Sequence, residues 1–395
     1  MILDNEFTGD LRVENEVISL VEAGFIVFVL AFNHGSKPEK EDYHGGTIIR
    51  IPISVFKKKK MKGLTNTAFD LYTPYWSTKI MKFIKEFNID ILHVHDLYLL
   101  GGALKAKRKL GTSIPVIADL HENYPEALKH YKFANTFPGN ILISIPKWER
   151  TEVKWVKEAN EVITVIEEGK KRYEDLGINS EKISVVANYV NRTEYLSEDL
   201  NQQIQDKFKD HFTITYIGGF DIHRGLECII RAIPLVIDKI TNLKFILVGD
   251  GINMQDLKNL ARELNVEKHV SFEGWQPSTL GASYLISSDI TLIPHLKTGH
   301  TDNTIPHKLF QYMLLERPVI STNCDPIERI INETKSGLIY KSNDEKDFAE
   351  KILSIYNQPE KLKQMGLNGK SAVQNKYNWE STAETLVELY NKYSN

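Results

Sequence analysis

FTITYIGGFDIHRGL, residues 212–226, is the stretch whose reading decides the fold. An apolar run rich in β-branched and aromatic residues, Phe212 to Ile217, meets the glycine pair Gly218 and Gly219 and then a helix-compatible segment. A buried strand entering a helix through a glycine-permitted turn is the repeating unit of a parallel α/β sheet. A helix N-terminus with Arg224 beside it suits a diphosphate. Taken alone, the same residues also describe a plain tight turn with a surface arginine.

Moving outward, the pattern repeats. Downstream strands are expected at Lys244–Val248, His269–Phe272, Ile290–Ile293, Pro318–Ser321 and Gly337–Tyr340. Upstream, Phe25–Leu30, Thr47–Ile51, Ile89–Val94, Pro115–Ala118, Glu161–Val165 and Ile183–Val186 form a second series. The polar segment from Asn191 to Asp210 separates the two, and 395 residues exceed what one core usually organises. The fold class is therefore α/β, with two Rossmann-like doubly wound domains facing each other across a cleft. Their expected bounds are 1–190 and 191–377, and a terminal helix is expected at about 378–395. Met1 to Leu3 is short for a first strand, which points to a late start or a frayed edge.

A composition of 42% hydrophobic and 26% charged residues is that of a globular protein, not a disordered one. The longest apolar run, Ala23–Phe32, has ten residues, about half of what a membrane-spanning helix needs. No secretory leader is recognisable, so a cytoplasmic location is expected. Cys228 and Cys324 are too few for a disulfide framework and read as buried apolar residues. Net charge is only −3, but residues 50–109 carry 13 Lys and Arg against 4 Asp and Glu. Lys57, Lys58, Lys59, Lys60 and Lys62 precede Phe69, Tyr72, Tyr75 and Trp76, a combination suited to an anionic membrane surface. The alternative is a solvated loop followed by a helix whose aromatics pack on the sheet. No nucleic-acid motif accompanies the patch.

Ligands of open parallel sheets sit beyond the carboxyl ends of strands, so the residues there are candidates. They include Gly218, Gly219 and Arg224, then Gly249 in a turn that lets backbone approach a ligand. After Ile293 come Asn303, Thr304, Ile305, Pro306, Lys308 and Gln311, where a helix start, its amides and a lysine suit a diphosphate. In the first half, Asp119, His121 and Glu122 follow a buried strand, and His95 and Asp96 follow the one before. His93 and His95 are expected on opposite faces of their strand and so not on one metal ion. The chain has no Asp-x-Asp triplet to hold a metal against a diphosphate. No metal and no other cofactor is expected, with cations and backbone dipoles stabilising the leaving group.

These motifs together resemble the retaining GT-B glycosyltransferases of the family-4 type, which act on bacterial surface polysaccharides and glycolipids. The resemblance spans nearly the whole chain. It rests on Asp10, Leu11, Arg12 and Val13; on the segments 90–96 and 119–126; on Gly218–Leu226, Leu247–Gly251 and Val270–Trp275; and most specifically on Pro306, Lys308, Leu309, Phe310, Tyr312 and Met313 with Pro318, Val319 and Ile320. Two departures stand out: Asn303 and Gln311 occupy the positions of a glutamate pair common in relatives, and Gly219 that of an arginine. The resemblance implies a nucleotide-sugar donor, UDP-linked, with its diphosphate on Arg224, Lys308 and the backbone at Thr304 and Ile305. It implies the base near Trp275, ribose near Gln311, His121 facing the transferred sugar, and the terminal helix at about 378–395 packing back on the first domain. Asp10, Arg12, His95, Asp96 and Glu122 fall on the acceptor side, with a lipid-linked or polysaccharide acceptor. A nucleotide-sugar 2-epimerase and a binding-only paralogue are the competing readings.

Overall fold

The computed structural model describes residues 1–129, 131–193 and 200–394; part of the expected interdomain connector, residues 194–199, lies outside these. The chain divides into two compact units, Met1–Asn188 with Ser381–Asn395, and Tyr189–Glu380.

The first unit holds β1 (Phe28–Asn33), β2 (Lys40–Tyr43), β3 (Gly46–Pro52), β4 (Leu92–His95), β5 (Val116–Leu120), β6 (Glu161–Thr164) and β7 (Ile183–Val185). They pair in the orders β1-β3-β2 and β4-β5-β6-β7, parallel except for β2 against β3. Residues 1–3 are not a frayed edge. Ile2 bridges Leu30 of β1 and Val94 of β4, and its amide and carbonyl pair with His93 and His95, so this short segment joins the two groups of strands at the centre. Strand β2 was invisible to the sequence reading. It is highly charged and pairs through a two-residue turn in which His44 and Gly45 both have positive φ, the conformation of tight hairpins. β1 also lies three residues further on than expected, because Gly24 takes a left-handed conformation that ends the preceding helix, Leu11–Glu22.

The second unit contains β8 (Phe212–Ile217), β9 (Leu243–Val248), β10 (Val270–Gly274), β11 (Ile290–Ile293), β12 (Val319–Thr322) and β13 (Gly337–Tyr340) in the order β10-β9-β8-β11-β12-β13, all parallel. The chain winds from β8 to one edge and resumes at β11 on the other side. The carboxyl ends of β8 and β11 therefore form a topological switch point, where such sheets bind ligands. Gly225 follows β8 with φ +67, and a Cβ there would lie 2.1 Å from the Pro294 carbonyl oxygen. Only glycine lets the two turns meet this closely.

The aromatic run after the lysines splits. Tyr72 and Trp76 are wholly buried in the first unit's core, on the inward face of the helix Tyr72–Phe87, and Tyr75 is half-buried; only Phe69 faces outward. Among the described residues no helix is long and apolar enough to cross a membrane.

The last helix, Trp379–Asn391, fastens the C-terminal end of the chain to the first unit. Leu386 and Leu389 are buried, the Ala187 amide donates to Thr382 Oγ1 (2.8 Å), and Tyr393 donates to Glu161 (2.8 Å). Leu386→Ala is expected to cost about 2–5 kcal/mol, the usual range for a buried leucine. In urea, the first unit's transition should move to lower concentration while the second unit's stays. An unmoved first transition would show that this helix is no part of its core.

Candidate functional site

In the first unit, Arg12 organises the groups behind β4 and β5. Its helix starts at Asp10, whose side chain caps the Val13 amide, so Asp10 is a helix cap. The buried Arg12 guanidinium grips Asp119 with Nη2 at 3.0 and 2.9 Å, donates through Nη1 to the Val186 carbonyl (2.7 Å), and has Nε 3.1 Å from Glu16. Burial alone would raise the Asp119 carboxyl; Arg12, then His121, outweigh it and hold the group well below the ordinary range. At Glu16 burial prevails: Arg12 and His121 pull its carboxyl down as well, but burial, with the Asp119 charge adding to it, pushes it well up.

His121 is partly open to solvent. Its Nε2 lies 3.3 Å from Asp119 and its Nδ1 3.8 Å from Asp96. Burial opposes a charge there, but the two carboxylates prevail and push its pKa up to about 9. Asp96 has φ +71 and ψ 144, a region nearly reserved for glycine, and it accepts from Tyr98. Glu122 accepts from Tyr131 (3.1 Å), and burial, with Asp96 nearby, raises its carboxyl. His95 is buried with its Nδ1 3.2 Å from His121 Nε2, so His95 and Arg12 act on the accessible histidine from behind.

The expectation that His93 and His95 point apart is wrong. Side chains two apart on a strand share a face; the rings stack with centroids 4.5 Å apart. With Glu16 and Asp119 they bring four ligand atoms within 4.8 Å of one another, a spacing a divalent ion would accept. Arg12 already holds both carboxylates of this group, so a dication would have to share it with a buried guanidinium.

In the second unit the switch point collects cations. Arg224 Nη1 lies 2.8 Å from His295 Nε2, which follows β11. Burial, then Lys308 and Arg224, hold the His295 imidazole well below its ordinary range, so it is neutral and accepts from Arg224. Lys308 opens the helix Lys308–Leu314, two residues after Pro306, and its Nζ donates to the Ile217 carbonyl (2.6 Å) above the Tyr216 ring. Burial, with Arg224 adding to it, lowers the Lys308 pKa to about 7. Neither Arg224 nor Lys308 forms an ion pair with a carboxylate among the described residues. Two cations crowded without an anion form a site that an anion would relieve.

Glycines shape this floor. Gly218 has φ +150, and a Cβ there would stand 2.4 Å from Lys308 Nζ; at Gly249 it would meet the Gly218 carbonyl oxygen at 1.9 Å. Gly219 accepts from Tyr216 through its carbonyl (2.8 Å). Trp275 is 73% exposed just after β10. Asn303 donates to the Gly299 carbonyl and Thr304 to that of His300, which fixes the loop leading into Ile305. Gln311 lies on the helix one turn after Lys308.

Residues the sequence reading did not single out also belong here. Asp4, next to the central segment 1–3, receives Lys62 (2.9 Å), Tyr72 (3.2 Å) and Tyr98 (3.2 Å). Its position directly after an apolar run was the available signal. Glu16 offered none beyond its polarity, whereas His295 stands just past the carboxyl end of β11, where ligands of such sheets are sought.

Two family models match the chain: Glycosyltransferase Family 4 over residues 12–194 and Glycosyl transferases group 1 over residues 197–372. An uncharacterized glycosyltransferase of Methanocaldococcus jannaschii is 26% identical across 97% of this chain and 94% of its own. Among solved structures, sucrose-phosphate synthase from Thermosynechococcus elongatus superposes with a TM-score of 0.78 at 16% identity, over 99% of this chain and 98% of that one. Anabaena HepE in complex with UDP-glucose does so with a TM-score of 0.70 at 13% identity, over the same shares.

The lowered Lys308 pKa yields a prediction. A bound polyanion favours the charged amine, so above about pH 7 binding must take up a proton, and affinity must fall as pH rises by up to about tenfold per unit. Calorimetry with inorganic pyrophosphate in buffers of different ionisation enthalpy should register this uptake at pH 8, and Lys308→Gln should abolish it. No uptake by the unaltered protein would place Lys308 outside the anion site.

Proposed function

The chain belongs to the family-4 type of GT-B glycosyltransferases, and from that premise we propose that it transfers a hexose or N-acetylhexosamine from a UDP-sugar with retention of anomeric configuration and without a metal ion. The acceptor is a lipid-linked or polysaccharide sugar on the cytoplasmic side of the envelope. The observation that carries the donor assignment is the uncompensated pair Arg224 and Lys308 at the switch point of the second sheet. Anabaena HepE, which shares the fold, has been solved with UDP and with UDP-glucose, which supports a nucleotide-sugar of that class.

In this reading the two phosphates lie on Arg224, Lys308 and the amides at Thr304 and Ile305, over the floor of Gly218, Gly219 and Gly249. The exposed Trp275 stacks on the base. Asn303 and Gln311 hydrogen-bond sugar or ribose hydroxyls as neutral amides, which donate as well as accept. The acceptor oxygen attacks the anomeric carbon from the face that the diphosphate leaves. The bond from that carbon to the phosphate oxygen breaks, the new glycosidic bond forms, and the acceptor's proton passes to a phosphate oxygen of the donor. No protein nucleophile is required. The two cations neutralise charge where it develops, which is where fixed positive groups accelerate most.

On the acceptor side, His121 and Asp96 with Glu122 orient hydroxyls of the incoming sugar. Arg12 and His95 position His121 through Asp119, and Asp10 holds the helix that carries Arg12.

Transfer from a panel of UDP-hexoses, with and without EDTA, tests this reading. Turnover is expected to survive EDTA, and Arg224→Gln or Lys308→Gln should lower kcat by about 100-fold or more. Loss of turnover in EDTA would overturn the metal-free mechanism and direct attention to Glu16, His93, His95 and Asp119. Unchanged rates in both variants would overturn the donor site.

A further inference from the structure

Behind His121, four buried side chains from three elements converge: Glu16 of the first helix, His93 and His95 of β4, and Asp119 of β5. Both carboxylate oxygens of Glu16 and the Nε2 of His95 lack a hydrogen-bond partner among the described residues, although all three atoms are sealed from water. Polar atoms stranded in this way cost free energy unless something occupies the place between them. Neither the grip of Arg12 on Asp119 nor the proposed transfer gives them a role.

The stranded atoms face one another. Glu16 Oε2 lies 3.6 Å from His95 Nε2 and 3.9 Å from His93 Nε2, and His93 Nε2 lies 3.4 Å from Asp119 Oδ2. Ligands about 2.0–2.1 Å from a tetrahedral ion stand about 3.3–3.4 Å apart, so a small contraction would close the group on one. The other nitrogen of each imidazole is already engaged, as ligating histidines require: His93 Nδ1 pairs with the Tyr390 hydroxyl (2.8 Å), and His95 Nδ1 faces His121 Nε2 (3.2 Å). Arg12 can stay in place. Its nearest approach to Glu16 is at Oε1, which leaves Oε2 to an ion, and it holds Asp119 through both oxygens, so that only Oδ2 is shared. Two carboxylates on one guanidinium leave room for a second cation.

We propose that Glu16, His93, His95 and Asp119 bind a divalent ion of the imidazole-preferring class, zinc fitting best, and that the bound ion slows turnover by drawing Asp119 from His121. Two nitrogens and two oxygens in a buried group suit zinc; magnesium takes oxygen ligands and keeps several waters, for which nothing here makes room. His121 Nε2 is 3.3 Å from the Asp119 Oδ2 that the ion takes, so occupancy weakens the contact that holds His121 in place. The ion has no part in sugar transfer itself. Its binding is independent of the choice of donor, and only its effect on turnover rests on the proposed function.

Calorimetric titration of the metal-stripped full chain with zinc chloride tests the site, with magnesium chloride as the control. One zinc ion per chain should bind tightly, and magnesium should not compete. Tyr390→Phe removes the partner of a ligand but no ligand, and should weaken zinc binding by about 10–100-fold. Glu16→Gln keeps the shape, loses the charge, and should weaken it further. Circular dichroism reports whether each variant is folded, and the visible spectrum of bound cobalt reports four-coordinate ligation in the unaltered protein should Glu16→Gln not fold. Zinc at a concentration that leaves Tyr390→Phe unaffected should lower kcat of the unaltered protein, and EDTA should restore it. The absence of stoichiometric zinc binding would overturn the proposal, as would equal affinity in the folded variants or magnesium binding as tight as zinc. Tight binding with undiminished turnover would overturn the inhibitory role.

Discussion

The grip of Arg12 on Asp119 is the contact on which the first unit's candidate site depends. A guanidinium and a carboxylate, both buried, are tolerated only because the pair is bidentate and the remaining donors are used. Arg12 comes from the first helix, Asp119 from the end of β5, and the Val186 carbonyl from just beyond β7. One side chain therefore ties three distant parts of the chain to the carboxyl edge of the sheet. His93 lies 3.4 Å from Asp119 and pairs through its other nitrogen with Tyr390 on the returning helix, extending the tie to the chain's far end. Removing either charge would strand its partner, at a cost of about 3–5 kcal/mol. His121 inherits its charge from this arrangement, since Asp119 is kept ionised beside it.

The second unit follows the opposite logic. Where the first pairs its buried charges internally, the second leaves Arg224 and Lys308 without a carboxylate and keeps His295 neutral between them and the sheet. A buried amine near neutrality is unfavourable in isolation. It persists because the Ile217 carbonyl and the Tyr216 ring partly solvate it, and because Gly218 leaves the space in which it lies. The close meeting of the turns after β8 and β11 fixes the distance between Arg224 and His295, and that meeting depends on Gly225.

Much of this was legible in the chain. The runs Phe212–Ile217 and Ile290–Ile293 coincide with β8 and β11, and the glycines and Arg224 behind them lie where strand-end reasoning put them. These signals are local: an apolar run, a glycine, a charged residue at a fixed offset. What escaped depends on distant partners. Strand β2 has no apolar pattern because it is an exposed edge held by its hairpin. Glu16 looks like one half of an ordinary i,i+4 pair with Arg12 on an amphipathic helix until Asp119 and two histidines are folded against it.

The two amides in the second unit follow the same electrostatic logic. Gln311 stands three residues after Lys308 on one helix, a spacing at which side chains face each other. A glutamate there would attract the lysine, keep its ammonium charged in the absence of any ligand, and compete with a diphosphate for it. With an amide in that position, the dominant influences on Lys308 are burial and Arg224, both of which oppose its charge. In the proposed donor site, its protonation would thereby be left for the bound diphosphate to complete. Under the proposed donor assignment, an amide at Gln311 would leave the charge of Lys308 to depend on the anion it binds.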